Sequence, residues 1–262
     1  IGRMEVRGRD SLGISLMVNF PTQESYHNWI NTTQGRFAEE LEKRRDAIEF
    51  VNQAIIQDDD TESPGLVFVY KVAQEVGALG DNVAAIYQSI SQDALAWSAL
   101  MVPQVTTNIF SHTRWASHGV ISEPNCHPVN EVTLKDGACA IAQSPHRVVV
   151  CLNGDVDNYQ DLIHRFASQE ARFVPGRVST DTKIIPMLVD HYFRQTNDMR
   201  EAFCKAVSDC EGSIAIIMQN THEPHKTYLA LRGSGQALFV GLCQGGYIFA
   251  SELYGVVEQT TK

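Results

Sequence analysis

The chain has 262 residues, 44% of them hydrophobic and 20% charged, a folded composition with enough apolar material for one large core or two modest ones. Its 21 basic and 31 acidic residues give a formal charge of −10, and an acidic surface repels phosphate backbones, which argues against a nucleic-acid partner. No apolar run reaches the roughly 18 residues of a membrane span, and no signal peptide opens the chain.

In chain order, Gly13 to Val18 (GISLMV) predicts a short buried strand. A helix is expected from about Arg36 to Ile56, because Phe37, Leu41, Ala47, Ile48, Val51 and Ile55 recur at roughly helical spacing. The acidic run Asp58-Asp59-Asp60 then reads as a solvated loop without metal-site spacing. Leu66 to Val72 predicts a strand and Asp81 to Ala96 a helix. Strands follow at Thr107 to His112, Ala138 to Ala142 and Arg147 to Leu152. Helices come next at Tyr159 to Phe166, Thr182 to Arg194 and Met199 to Val207. The tail gives strands at Ser213 to Met218, Thr227 to Leu231, Ala237 to Gly241 and Tyr247 to Ala250, divided by glycine-rich turns. Strand runs with helices grouped between them predict layered α+β rather than a regular βαβ repeat.

The six cysteines form no CxxC pair and read as reduced, mostly buried residues of a cytoplasmic protein. No metal site or organic cofactor is expected. His222 and His225 fall in a polar Glu-Pro turn and read as solvated surface.

Four segments carry chemistry. His112-Thr-Arg-Trp-Ala-Ser-His-Gly119 places Arg114 at a strand end, suited to clamping a carboxylate through two parallel hydrogen bonds or, more plainly, to pairing with a local acid. In Asn125-Cys-His-Pro128, His127 reads first as a histidine satisfied by backbone in a turn. Val148-Val-Val-Cys-Leu-Asn-Gly154 delivers an apolar strand into an expected Asn-Gly turn. There the Asn153 amide and Gly154 N–H can point at one developing oxyanion, although Asn-Gly is also a common hairpin turn. Asp157 or Asn158 then fits the N-cap of the helix that follows. In Ser179-Thr-Asp-Thr182, Asp181 either caps the next helix or binds an α-ammonium group. Together these offer partners for an amino acid whose side-chain carbonyl is attacked, glutamine being the simplest.

At these residues the chain resembles the glutaminase domain of class II amidotransferases, most closely that of the glutamine:fructose-6-phosphate amidotransferases. The resemblance runs through Met4-Glu-Val-Arg-Gly-Arg-Asp-Ser-Leu-Gly-Ile14, HTRWASHG, NCHP, LNGDVDNY and STDT. It continues into Glu211-Gly-Ser-Ile-Ala, Leu229-Ala-Leu-Arg-Gly-Ser and Phe249-Ala-Ser-Glu. It implies a four-layer αββα sandwich of the N-terminal-nucleophile hydrolase type, in which an N-terminal cysteine thiol attacks glutamine and its own α-amine is the base. Carried over, Arg114 holds the α-carboxylate and Asp181 the α-ammonium. Ser117 and His118 line the glutamine loop, Trp115 helps close it, and Asn153 and Gly154 form the oxyanion hole. Arg7 matches an arginine near the nucleophile. Ammonia passes to a sugar phosphate on a downstream synthase domain, in a homo-oligomeric full-length protein.

The chain also departs from the pattern. Residues from about 20 to 104 exceed the equivalent stretch and read as an insertion within a single domain spanning 1–262. Leu152 stands where close relatives have His, a feature shared with the asparagine-synthetase branch, and Ser117 replaces Thr. No cysteine precedes Arg7, and the strand and helix expected between nucleophile and Arg7 need roughly 20 residues. With Ile1 rather than Met at the start, the nucleophile segment is expected upstream, and the sequence as written is expected to be inactive. Cys151 as an internal nucleophile, a nucleophile-less glutamine-binding or docking module, and an asparagine-synthetase-like amide donor are the other readings.

Overall fold

A computed structural model describes residues 2, 4–45, 50–58, 64–73, 78–115, 120–135, 139–141, 146–257 and 259–260, with backbone alone for Arg7, Gln34, Asp58 and 139–141. The GISLMV run lies inside β1 (Ser11–Asn19), followed by α1 (Gln23–Arg45), β2 (Ile55–Asp58), β3 (Gly65–Ala73), α2 (Asp81–Gln92), α3 (Ala94–Leu100) and β4 (Thr106–Arg114). The second half runs β5 (Val129–Asn130), β6 (Thr133–Lys135), β7 (Cys139–Ile141), β8 (Val148–Val156), α4 (Tyr159–Glu170), β9 (Arg172–Phe173), α5 (Ile184–Thr196) and α6 (Met199–Asp209). It ends with β10 (Gly212–Asn220), β11 (Thr227–Arg232), β12 (Phe239–Cys243) and β13 (Gly246–Ala250).

Two antiparallel sheets form the middle layers, in the orders β2-β3-β1-β4 and β11-β10-β8-β5. The central strands are buried on both faces, β4 and β11 being more open, and the period-two alternation decides which layer each side chain meets. From β1, Leu12, Ile14, Leu16 and Val18 pack beneath α1, α2 and α3, whereas Met17 faces the other sheet. From β8, Val148, Val150 and Leu152 pack beneath α4, α5 and α6, whereas Val149 and Cys151 face inward. The result is an αββα sandwich. A polar tie crosses the inner layer: Ser15 Oγ donates to Gln219 Oε1 at 2.9 Å. No described helix is long and apolar enough to cross a membrane.

The first half departs from expectation. The helix expected over about 36–56 is instead Gln23–Arg45, and Ile55 belongs to β2; Ala47 and Ile48 lie outside the described residues. An aromatic anchor explains the shift: Tyr26 and Trp29 pack on Phe20 with ring centroids 5.2 and 5.5 Å away, and Leu41 continues that face. The helix expected over 81–96 breaks at Asp93, whose carboxylate accepts the Ala96 N–H at 2.9 Å and so caps a separate α3.

The second half follows expectation more closely, with one consequential difference. β8 does not turn at Asn153-Gly154 but continues to Val156, pairing Asn153 with Ala215 and Gly154 with Ile214. Gly154 permits this by adopting φ +122° and by having no Cβ, which would stand 1.9 Å from the Ser213 carbonyl oxygen.

Candidate functional site

The ends of β4, β8 and the turn at Asp181–Lys183 converge on a cavity of ≈ 340 Å³ lined by Arg114, Trp115, Asn153, Gly154 and Asp181. Residue spacing alone would not bring these together; the face-to-face sheets do, by placing the last residue of β4 opposite the later part of β8. Arg114 is 5% exposed and Asp181 7%, so both charges sit in a largely dry wall where an ion pair with a bound zwitterion is weakly screened. Burial pulls the Arg114 guanidinium down from its usual value, and the negative charges of Asp181 and Asp10 oppose that.

Asp181 is held from two sides. Its Oδ2 accepts the Val156 N–H and its Oδ1 the Thr182 N–H, each at 2.8 Å. Asp181 does not cap α5, whose N-cap is Lys183 without a side-chain bond; its carboxylate satisfies backbone donors of the turn and of β8 and lines the cavity. Asn158 occupies the N-cap of α4 without capping it through its side chain. It instead donates to the Asp209 carbonyl and accepts from the Glu211 N–H.

The amino-terminal motif packs beneath Arg114. Asp10 N–H donates to the Arg114 carbonyl at 3.1 Å, and a Cβ on Gly8 would lie 2.4 Å from the Arg114 carbonyl carbon. Arg7 lies in a short 3-10 turn whose backbone is described, but its side chain is outside the described residues, as are Ser117 and His118 entirely. Trp115 lines the mouth with 67% of its surface exposed.

Among the lining residues that were not singled out from sequence as part of the site are His112, His127, Thr180 and Thr182. His112 shares a strand face with Arg114 two residues on, a signal the period of two provides. His127 follows the 3-10 turn Glu123–Asn125 and takes one backbone contact, as expected, but its ring also faces the cavity. Its Nε2 stands 2.8 Å from Thr182 Oγ1 and its Nδ1 makes a long 3.5 Å contact from the Leu152 N–H, which assigns the ring proton to Nε2. The two imidazoles are 4.4 Å apart between centroids. Burial, then the Arg114 charge, pushes His112 down to about 4; burial, then His112 and Arg114, holds His127 well below its usual value. Both rings are neutral at physiological pH.

Described cysteines near the cavity are poor nucleophiles. Burial raises the Cys126 thiol, and burial followed by Cys126 raises Cys151 well above the ordinary range, so both are protonated. β4 bonds to β1 on one side and to no described strand on the other. Along that open edge runs a groove of ≈ 670 Å³, lined by Thr107–His112, Cys151, Ala215 and the β13 hairpin arm, and it shares His112 and Asn153 with the polar cavity. No group of three or more metal-ligating side chains occurs among the described residues.

Residues 129–258 match the family described as a glutamine amidotransferase domain, a span that includes Asn153, Gly154 and Asp181. Glutamine–fructose-6-phosphate aminotransferase (isomerizing) of Clostridium tetani is 34% identical over 149 residues, covering 57% of this chain and 21% of that protein. The enzyme of the same name from Thermus thermophilus is 29% identical over 182 residues, covering 70% of this chain and 27% of the relative. The chain thus spans only about a quarter or less of these relatives. In fold it resembles the glutamine phosphoribosylpyrophosphate amidotransferase of B. subtilis, with a TM-score of 0.50 at 14% identity over 93% of this chain and 42% of that one.

Proposed function

The chain carries a glutamine amidotransferase domain of the N-terminal-nucleophile type, and on that premise we propose that its polar cavity binds glutamine, whose side-chain amide the intact protein hydrolyses to glutamate and ammonia. The observation that carries the reading is the shared cavity of Arg114, Asp181 and the Asn153–Gly154 pair. Arg114 takes the α-carboxylate through paired hydrogen bonds, and Asp181, ionised and fixed by two backbone donors, takes the α-ammonium. These two contacts hold the side-chain amide toward Asn153 and Gly154, whose amide and N–H stabilise the oxyanion that forms on attack. By the family resemblance, Ser117 and His118 belong to the glutamine loop that Trp115 helps close, and Arg7 belongs beside the nucleophile.

The nucleophile is a cysteine on chain preceding this sequence, laid as an extended strand along the open edge of β4. The groove on that edge supports this, since an added strand there would complete backbone pairing and end at the polar cavity. Its thiolate adds to the amide carbon. The C–N bond breaks as the α-amine passes a proton to the departing ammonia, and water then cleaves the thioester to glutamate. The region from about 20 to 104 is an insertion in a single domain, and the ammonia acceptor is a sugar phosphate on a synthase domain that follows in a cytoplasmic protein. The names and greater length of the relatives support the acceptor, and the unpaired described cysteines support the compartment.

A chain extended upstream to its natural start tests the reading. It should release glutamate from glutamine and be labelled by a glutamine-mimicking electrophile on an upstream cysteine. Absence of such a cysteine, or glutamate release that survives its replacement by alanine, overturns the mechanism.

A further inference from the structure

Behind the Asp181 turn, away from the polar cavity, lies a second and much smaller space of ≈ 10 Å³ between β3, β5 and the Asp181–Lys183 turn. Its lining holds two ammonium groups, Lys71 and Lys183, one amide, Asn130, and apolar side chains that include Phe50 and Pro124. No carboxylate among the described residues lines it. Lys71 and Lys183 are each 2% exposed, so both charges are removed from solvent.

Neither lysine is paired with an acid among the described residues. Lys183 Nζ donates to the Asn130 carbonyl at 2.6 Å and to its Oδ1 at 3.1 Å, which leaves one of its N–H groups over. Lys71 Nζ has no hydrogen-bond acceptor among the described residues; its close partner is the Phe50 ring face, 5.0 Å away. The nearest buried acid of the region, Glu131, is committed elsewhere, to the Arg147 guanidinium through Oε1 and to the Val148 N–H through Oε2. Among the described side chains that line the space, the two ammonium groups alone carry charge.

A buried ammonium without a hydrogen-bonded acid is costly, and two of them facing one small space favour an anionic occupant. A water molecule there would accept hydrogen bonds from the two ammonium groups but leave their charge uncompensated. A monatomic anion accepts from every direction and neutralises charge. The volume is about that of a single bound atom. We propose that the space between Lys71 and Lys183 is a binding site for one halide-type anion. The ion bridges β3 of the first sheet to the turn that carries Asp181.

Desolvation pulls Lys71 down to about 8 against the potential of Glu123; desolvation, opposed by Glu131 and aided by the Lys71 charge, pulls Lys183 down to about 7. An anion between them restores both ammonium groups to the charged state.

Crystals of the protein soaked in sodium bromide, with data collected at the bromine edge, test the site directly. The expected result is an anomalous peak within about 3.5 Å of Lys71 Nζ, a charge-assisted contact distance for so large an ion. That peak should be lost in Lys71→Met. Should that variant fail to fold, Lys183→Met serves the same purpose. In solution, Tm should rise saturably when chloride replaces methanesulfonate at constant ionic strength, and the rise should vanish in the folded variant. No peak in the wild-type protein, or a peak that persists in the lysine variant, overturns the proposal, as does a Tm indifferent to chloride.

Discussion

The Asp181 carboxylate accepts the Val156 N–H at 2.8 Å, fastening the turn that opens α5 to the end of the strand that carries Asn153 and Gly154. One side chain therefore sets the distance between two parts of the candidate glutamine pocket. Replacing it with alanine leaves the Val156 and Thr182 N–H groups without their acceptor, at a cost of about 1–3 kcal/mol for each group that stays buried. Asp181→Asn retains one acceptor oxygen and should cost less in denaturant unfolding while weakening glutamine binding at least ~10-fold, since the ammonium loses its counter-charge. Equal effects of the two substitutions on stability would show that these hydrogen bonds contribute little.

Glycines at the strand crossings should divide sharply by surroundings. Gly13→Ala would put a methyl 1.7 Å from the His127 carbonyl oxygen, and Gly154→Ala one 1.9 Å from the Ser213 carbonyl oxygen. Each should lower stability by more than ~2 kcal/mol, because backbone must shift. Gly35, within α1 and with nothing near its missing Cβ, should behave oppositely: Gly35→Ala gains about 0.5–1 kcal/mol in thermal or denaturant unfolding.

The helical layer over the first sheet is tied by Arg44, which donates to both Asp93 oxygens at 3.0 and 2.6 Å, with the Tyr70 hydroxyl donating to Asp93 Oδ2 at 2.7 Å. Asp93→Ala removes the buried counter-charge of Arg44, leaving it Glu40 and the Gln53 carbonyl, and should cost about 3 kcal/mol. Burial alone would raise the Asp93 carboxyl; the hydrogen bonds from Arg44, Ala96 and Tyr70 outweigh it and hold the group below its ordinary 3.8. A carboxylate depressed in the folded state contributes stability at all pH above 3.8, and that contribution is lost as pH falls through the folded value. Unfolding curves below about pH 4 should be steeper in pH for the wild type than for Asp93→Asn.

His112 gives a second window. Its folded value of about 4 against an unfolded value near 6.5 means the unfolded chain binds more protons between those limits, so stability rises with pH across them. The ring lines the pocket and is partly screened there, so the loss on going from about pH 7 to pH 4 is about 1–3 kcal/mol. His112→Gln should flatten that slope; an unchanged slope assigns it to other groups.

The second half was the more legible in the sequence. Val148 to Leu152 and Ser213 to Met218 are continuous apolar runs because the sheets are covered on both faces, and their pairing then brings Asn153 and Asp181 to one end of the sandwich. The extent of β8 was not legible, because Asn-Gly reads locally as a turn and the pairing of Gly154 with Ile214 that keeps it in the strand is long-range. The first long helix was misplaced for a similar reason. Tyr26 and Trp29 gain their burial from Phe20, which no periodicity count over a polar segment registers. His127 joined the site only in three dimensions, since the Thr182 hydroxyl it meets lies far along the chain. The motif series had already indicated Arg114, Asn153, Gly154 and Asp181, all of which line the cavity.

The most direct test of the central claim is calorimetric titration of this 262-residue chain with L-glutamine and D-glutamine. The account predicts saturable one-to-one binding of the L form, weaker binding of the D form, and loss of at least ~10-fold in affinity in both Arg114→Ala and Asp181→Asn folded variants. Wild-type affinity retained in both variants, or no binding of L-glutamine by the folded chain, would contradict it.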